Sequence, residues 1–292
     1  VIPFVGIDES KIAPFHPFGI CAAIAFFVLD WAVMKLAVRR GYDRADFRVL
    51  VVWLFVLGWG FSWGINALFY NPDPGQSRFS LQGFSSTGAI VGATIGAVAW
   101  SRLFVRREGG EWKASWRERP HALLPLSEVI VGTWPAGWAI GRLGCALIHD
   151  HVGRSVAPGT LGSLLAVGFP RSADDGVHRV FGAVHVVTGA SDVRFDLGLL
   201  ELLVLAPIAV GFALTWSKKV PIGTYTIVAS LVYGPLRFLL DFLRAEEGVT
   251  ADARHGGLTF AQYWCVAVVG LGLLLLVRQR RGAWSQAASS AQ

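Results

Sequence analysis

An arginine, two histidines and an acid close an otherwise apolar stretch. Gly141-Arg142-Leu143-Gly144-Cys145 runs on through His149-Asp150-His151 to Gly153-Arg154. An ionisable side chain inside an apolar segment is costly to keep there, so Arg142 marks a candidate functional site. A second set follows in Tyr233, Arg237, Asp241 and Arg244, whose spacings of four, four and three put all of them on one helix face. A planar guanidinium offers two parallel donors to two oxygens and so suits a phosphate. Asp150 and Asp241 can position those guanidiniums or accept hydrogen bonds from hydroxyls. An imidazole at His149 or His151 can take a proton near neutral pH. The bland alternatives are an Arg237–Asp241 structural ion pair, two interfacial loop histidines, and a Cys145 that simply packs.

The elements that must hold these residues are membrane helices. The chain has 292 residues, 53% hydrophobic and 16% charged, with a mean hydropathy of +0.51; a soluble domain carries about 25% charged residues. Windows of about 20 apolar residues give seven spans, at 17–37, 48–69, 84–104, 124–147, 197–216, 222–243 and 259–277. The third is rich in Gly and Ala, which lets helices approach closely. The fourth contains Pro135, where a kink or local opening is tolerated if it lines a cavity. The net charge of +6 lies in short clusters between spans, which is a mark of topology rather than of a nucleic-acid partner.

Those clusters orient the bundle. Arg39, Arg40 and Arg44 follow the first span, Arg106, Arg107 and Lys113 the third, Lys218 and Lys219 the fifth, and Arg278, Arg280 and Arg281 the seventh. The positive-inside rule then puts the N-terminus outside and the C-terminus inside. Segment 150–196 becomes a small extracytoplasmic head between spans four and five, and its alternating stretch Val177 to Val187 reads as a strand or hairpin. Asp30, mid-span, calls for a polar partner in span two or three. Residues 283–292 read as a disordered tail, and the start at Val1 shows no secretory signal pattern. Cys21, Cys145 and Cys265 form neither a disulfide framework nor a zinc spacing. We expect an all-α polytopic membrane protein with one transmembrane domain, and no metal or other cofactor.

Spans four and six both exit outward in this topology, so Arg142, Asp150, Arg237, Asp241 and Arg244 gather near the outer leaflet, where arginine is otherwise sparse. Two or three guanidiniums facing a cavity at that depth point to capture of a phospholipid headgroup. At these residues the chain resembles the prolipoprotein diacylglyceryl transferase family. That family's G-R-x-G-N-x-x-N-x-E-x-x-G-R is matched by Gly141 to Arg154, and its Y-G-x-x-R-x-x-x-E-x-x-R by Tyr233, Gly234, Arg237, Asp241 and Arg244. The departures are Cys145 for Asn, Asp150 and Asp241 for Glu, Phe18-Gly19 for Tyr-Gly, Leu200-Glu201 for Tyr-Glu, and Thr87 for a third-span His proposed as a base.

The resemblance implies transfer of a diacylglyceryl group from phosphatidylglycerol to the lipobox cysteine of a secreted prolipoprotein, at the outer face of the bacterial inner membrane. Arg142, Arg237 and Arg244 would hold the phosphate and leaving group, with Tyr233, Gly153, Glu201 and Thr87 completing the lipid site. Either His149 or His151 would replace the lost base, or the arginine-rich field would lower the substrate thiol's pKa enough without one. A divergent relative that keeps the lipid site, and either binds phospholipid or serves another acceptor, is the alternative.

Overall fold

The computed structural model describes residues 1–5, 16–70, 84–169, 177–180, 183–186, 193–246 and 253–281; the expected tail and most of the loop after the second span lie outside them. In chain order the elements are β1 (Ile2–Pro3), α1 (Pro17–Arg39), α2 (Arg44–Ile65), α3 (Ser86–Arg102), β2 (Leu103–Glu108), β3 (Glu111–Trp116) and α4 (Leu123–Ile148). There follow β4 (Val152–Ser155), β5 (Ala166–Gly168), β6 (Val177–Val180), β7 (Ala183–Val186), β8 (Val193–Asp196) and α5 (Leu197–Ala213). The chain continues through α6 (Thr224–Val228), α7 (Gly234–Leu240), β9 (Arg254–His255), β10 (Leu258–Thr259) and α8 (Phe260–Arg280).

Among the described residues six helices are long and apolar enough to cross a membrane: Pro17–Arg39, Arg44–Phe69, Leu123–Ile148, Leu197–Thr215, Thr224–Leu243 and Phe260–Arg280. This is the architecture of a polytopic membrane protein. The remaining expected span is shorter than its hydropathy suggests. Ser85 caps α3 by accepting from the Gly88 N–H at 3.2 Å, and the helix stops at Arg102 after 17 residues, about 25 Å of rise. The apolar run Leu103-Phe104-Val105 goes instead into a hairpin, β2 against β3. Gly109 and Gly110, with φ of 59° and 91°, make its turn, a backbone conformation that disfavours side chains.

The chain divides into two compact units, one of Val1–Leu29, Trp134–Leu214 and Val232–Asp252, the other of Asp30–Thr133, Thr215–Leu231 and Ala253–Gln292. In the second unit α3 lies against α2 through its small residues. A Cβ at Gly88 or Gly92 would stand 2.5 Å from the Phe61 carbonyl oxygen or 2.1 Å from that of Leu57. Arg48, at the start of α2, pairs with the half-buried Asp30 of α1 and is the polar partner which that acid requires. Helix α4 continues through Pro135 as one α-helix.

The first unit carries the strands of segment 150–196. Its sheet runs β1-β5-β8-β4, with β1 parallel to β5 and the other pairs antiparallel. The expected hairpin is present as β6 paired with β7. The sheet has small cores of its own: Ala166 and Phe195 pack with Leu197 and Leu200 of α5, and Val152, Val167 and Phe169 pack with Ile2 and Phe4. Strand β1 was not legible in the sequence, because two residues form no pattern. Strand β8 runs directly into α5, and its last residue, Asp196, caps that helix by accepting from the Leu199 N–H at 2.9 Å.

Candidate functional site

Helices α4, α5 and α7 of the first unit converge on one acid. Glu201 is the sole charged residue of Leu197–Ala213, and in so apolar a helix it needs partners. Four groups supply them. Arg142 Nη2 stands 2.9 Å from Glu201 Oε2, and Arg237 Nε stands 3.8 Å from the same oxygen. The Tyr233 hydroxyl donates to Oε1 at 2.5 Å and Trp138 Nε1 at 3.1 Å. Asp241 pairs in turn with Arg237 and with Arg244, whose Nε lies 3.1 Å away. The arginines and Glu201 are all less than a tenth exposed, and Asp241 is fully buried.

Local backbone geometry sets this arrangement. Pro235 has no N–H and its ring crowds the carbonyl four residues back. The turn before it, Ala229–Tyr233, widens to a π-helix, a device that relieves such crowding. Tyr233 ends the widened turn, Arg237 sits in the restored α-helix, and Asp241–Leu243 tightens to a 3-10 turn before Arg244 leaves in an extended conformation. Arg244 is then tied by backbone pairing to Gly153, beyond α4. At Gly153 a Cβ would stand 2.4 Å from the Leu243 carbonyl oxygen and 3.0 Å from Phe195 Cβ. Close packing therefore requires a glycine at this position, which the sequence reading assigns to the substrate site. Gly153→Ala is expected to cost about 1–3 kcal/mol, read as a lowered melting midpoint of the detergent-purified protein; an unchanged midpoint would contradict the close approach.

The two histidines divide sharply. His149 follows α4 with φ of 52°, a left-handed conformation costly to a residue with a Cβ. It is buried, with Nδ1 2.5 Å from Asp196 Oδ2, Nε2 3.1 Å from the Val5 carbonyl oxygen, and Phe4 stacked on its ring. A carbonyl and a carboxylate both accept hydrogen bonds, so both ring nitrogens are committed as donors. That leaves no basic nitrogen on His149, contrary to the base role considered from the sequence. His151 is 27% exposed and pairs through Nδ1 with Asp150 Oδ1 at 2.5 Å, while its Nε2 lies 3.2 Å from Arg142 Nη1. Burial alone would push the Asp150 carboxyl up. The hydrogen bond from His151 and the charge of Arg142 outweigh it and hold the carboxyl below its ordinary value. Asp150 thus orients a histidine and, among the described residues, is not paired with a guanidinium, whereas Asp241 holds two arginines.

Cys145 lies 3.6 Å from Arg142 Nη1, and its sulfur, an Asp150 oxygen and a His151 nitrogen lie within 4.8 Å of one another. A cation fits poorly there, because the Arg142 guanidinium already faces two of the three donors. Thr87 is buried on α3 of the second unit; every other expected site residue belongs to the first. Trp138 and Asp196 were missed in the sequence. A tryptophan N–H among many interfacial aromatics gives no signal, and Asp196 reads simply as a helix cap.

The cluster can bind an anion. Three buried guanidiniums face two buried carboxylates, and Asp150, at the rim, is 30% exposed and partly screened by solvent. The buried Arg142 Nε has no hydrogen-bond partner among the described residues, and an orphaned buried donor is a costly feature in a protein without a ligand.

Comparison with known proteins gives the family. The chain is 31% identical over 80 residues to the phosphatidylglycerol–prolipoprotein diacylglyceryl transferase of Nitratidesulfovibrio vulgaris (strain DSM 19637 / Miyazaki F). That stretch covers 26% of this chain and 30% of the relative, so the chain spans under a third of the relative it matches. The sequence profile of prolipoprotein diacylglyceryl transferases matches residues 10–278, which includes both arginine motifs. With most of its length so matched, the chain belongs to the prolipoprotein diacylglyceryl transferase family.

Proposed function

We propose that the protein transfers a diacylglyceryl group from phosphatidylglycerol to the thiol of a lipobox cysteine in a secreted prolipoprotein. It works at the outer face of the bacterial inner membrane, crossing it seven times with the N-terminus outside. The observation that carries this reading is the Arg142–Glu201–Arg237 arrangement with its unpartnered Arg142 Nε. Glu201 and Asp241 hold the guanidiniums in place before any ligand arrives, so little reorganisation is needed when charge develops on a departing phosphate. Fixed guanidiniums in a site that excludes water supply the electrostatic work of the reaction without a metal or nucleotide.

The test uses purified full-length protein, labelled phosphatidylglycerol in mixed micelles, and a peptide containing a lipobox cysteine. Transfer of label to the peptide as a thioether is the expected result. Binding of the lipid without transfer would replace this reading with that of a divergent relative, one that keeps the lipid site and serves another acceptor or none. Thr87 in place of the family's third-span histidine is the feature that would favour that outcome.

A further inference from the structure

The chain lacks the family's third-span histidine and needs another group to ionise the attacking thiol, since the thiolate and not the thiol is the nucleophile. We propose that His151 takes that proton and that Asp150 is its positioning residue; this rests on the transferase reading above. The hydrogen-bond inventory fixes the chemistry of the ring. Arg142 can only donate, so the His151 Nε2 that faces its Nη1 at 3.2 Å is the acceptor and carries the lone pair. The proton is then on Nδ1, donated to Asp150 Oδ1 at 2.5 Å. A neutral imidazole held by a carboxylate through one nitrogen, with the other basic, is the arrangement of a general base.

Its location suits the task. His151 and Asp150, 27% and 30% exposed, form the accessible edge of a cluster whose arginines are nearly buried. A thiol can therefore reach Nε2 from outside, displacing one Arg142 N–H that is then open to the phosphate, while Glu201 keeps the guanidinium in place. The thiol proton passes to Nε2. The sulfur then attacks the glycerol carbon that bears the phosphate, a C–S bond forms, the C–O bond breaks with its electron pair on the phosphate oxygen, and glycerol phosphate leaves. The imidazolium can return its proton to that phosphate, so no other reactant is required. The charged or titratable groups facing His151 are Asp150 beside it in the turn, Arg142 and Cys145 of α4; α5 contributes the Leu197 N–H, which donates to the His151 carbonyl at 3.0 Å. His149, committed through both nitrogens, serves as the internal contrast.

The experiment measures kcat and lipid KM against pH with the full-length protein, labelled phosphatidylglycerol and the lipobox peptide. His151→Gln is expected to lower kcat by about 100-fold or more with lipid KM and melting midpoint unchanged, and His151→Ala is expected to recover part of the rate when imidazole is added. Asp150→Asn should lower kcat less and displace the acidic limb of the pH–rate profile, which a merely structural residue would not move. His149→Gln should lower the melting midpoint and leave the profile in place. Transfer by the unaltered protein together with a near-normal kcat in His151→Gln would overturn this inference and leave the proposed function standing. Absence of transfer by the unaltered protein would overturn both.

Discussion

Arg142→Ala and Arg237→Ala should each reduce diacylglyceryl transfer to the background of the assay. Loss of one fixed donor to a developing anion costs about 100- to 1000-fold in kcat, and each substitution removes a guanidinium whose nitrogens face the shared cluster. The informative companion is Arg142→Lys. It keeps the positive charge but loses the planar fork that spans Glu201 Oε2, His151 Nε2 and the unpartnered Nε position. Lysine is expected to leave the protein folded and turnover still depressed by about 100-fold. Near-normal turnover in either alanine variant would refute the assignment of phosphate binding to this pair.

The largest stability effect belongs to Glu201. Glu201→Ala leaves the Arg142 and Arg237 charges without their common carboxylate and strips the acceptor from the Tyr233 hydroxyl and the Trp138 N–H. Removing one partner from a buried ionic cluster costs about 3–5 kcal/mol, which corresponds to a fall of about 10 °C in melting midpoint for a chain of this size. Glu201→Gln keeps the shape and an acceptor oxygen and should lose less. Thermal unfolding of the three detergent-purified proteins decides the matter. An alanine variant as stable as the original would mean that solvent or lipid compensates the arginines, and that the cluster is less dry than its geometry indicates.

Much of the site could be seen in the sequence, because ionisable residues inside apolar runs announce themselves. Arg142, Arg237, Asp241 and Arg244 needed only hydropathy and helical spacing, and Glu201 stands alone in its helix. Their partners could not be read the same way. Nothing local distinguishes His149 from His151, which flank the same aspartate; the distinction comes from Asp196, 47 residues away, and from a left-handed backbone at position 149. The fold was legible to the same depth. Long apolar windows found the helices, while hydropathy read Leu103 and Phe104 as the end of a span. Gly109-Gly110 was the signal that those residues turn back as a hairpin instead.

The widened turn at Ala229–Tyr233 has a consequence for the phase of the helix. An α-helix advances by about 100° per residue, so a turn that accommodates one extra residue resets which side of the cylinder everything after it occupies. The spacing Tyr233, Arg237, Asp241 aligns because counting begins at the end of that turn. A chain one residue shorter between Thr224 and Tyr233 would keep every side chain of the motif, its hydropathy and its spacing, yet rotate Tyr233 and Arg237 away from Glu201. A relative that matches the motif but differs in length just upstream can therefore carry the same signature without the anion cluster.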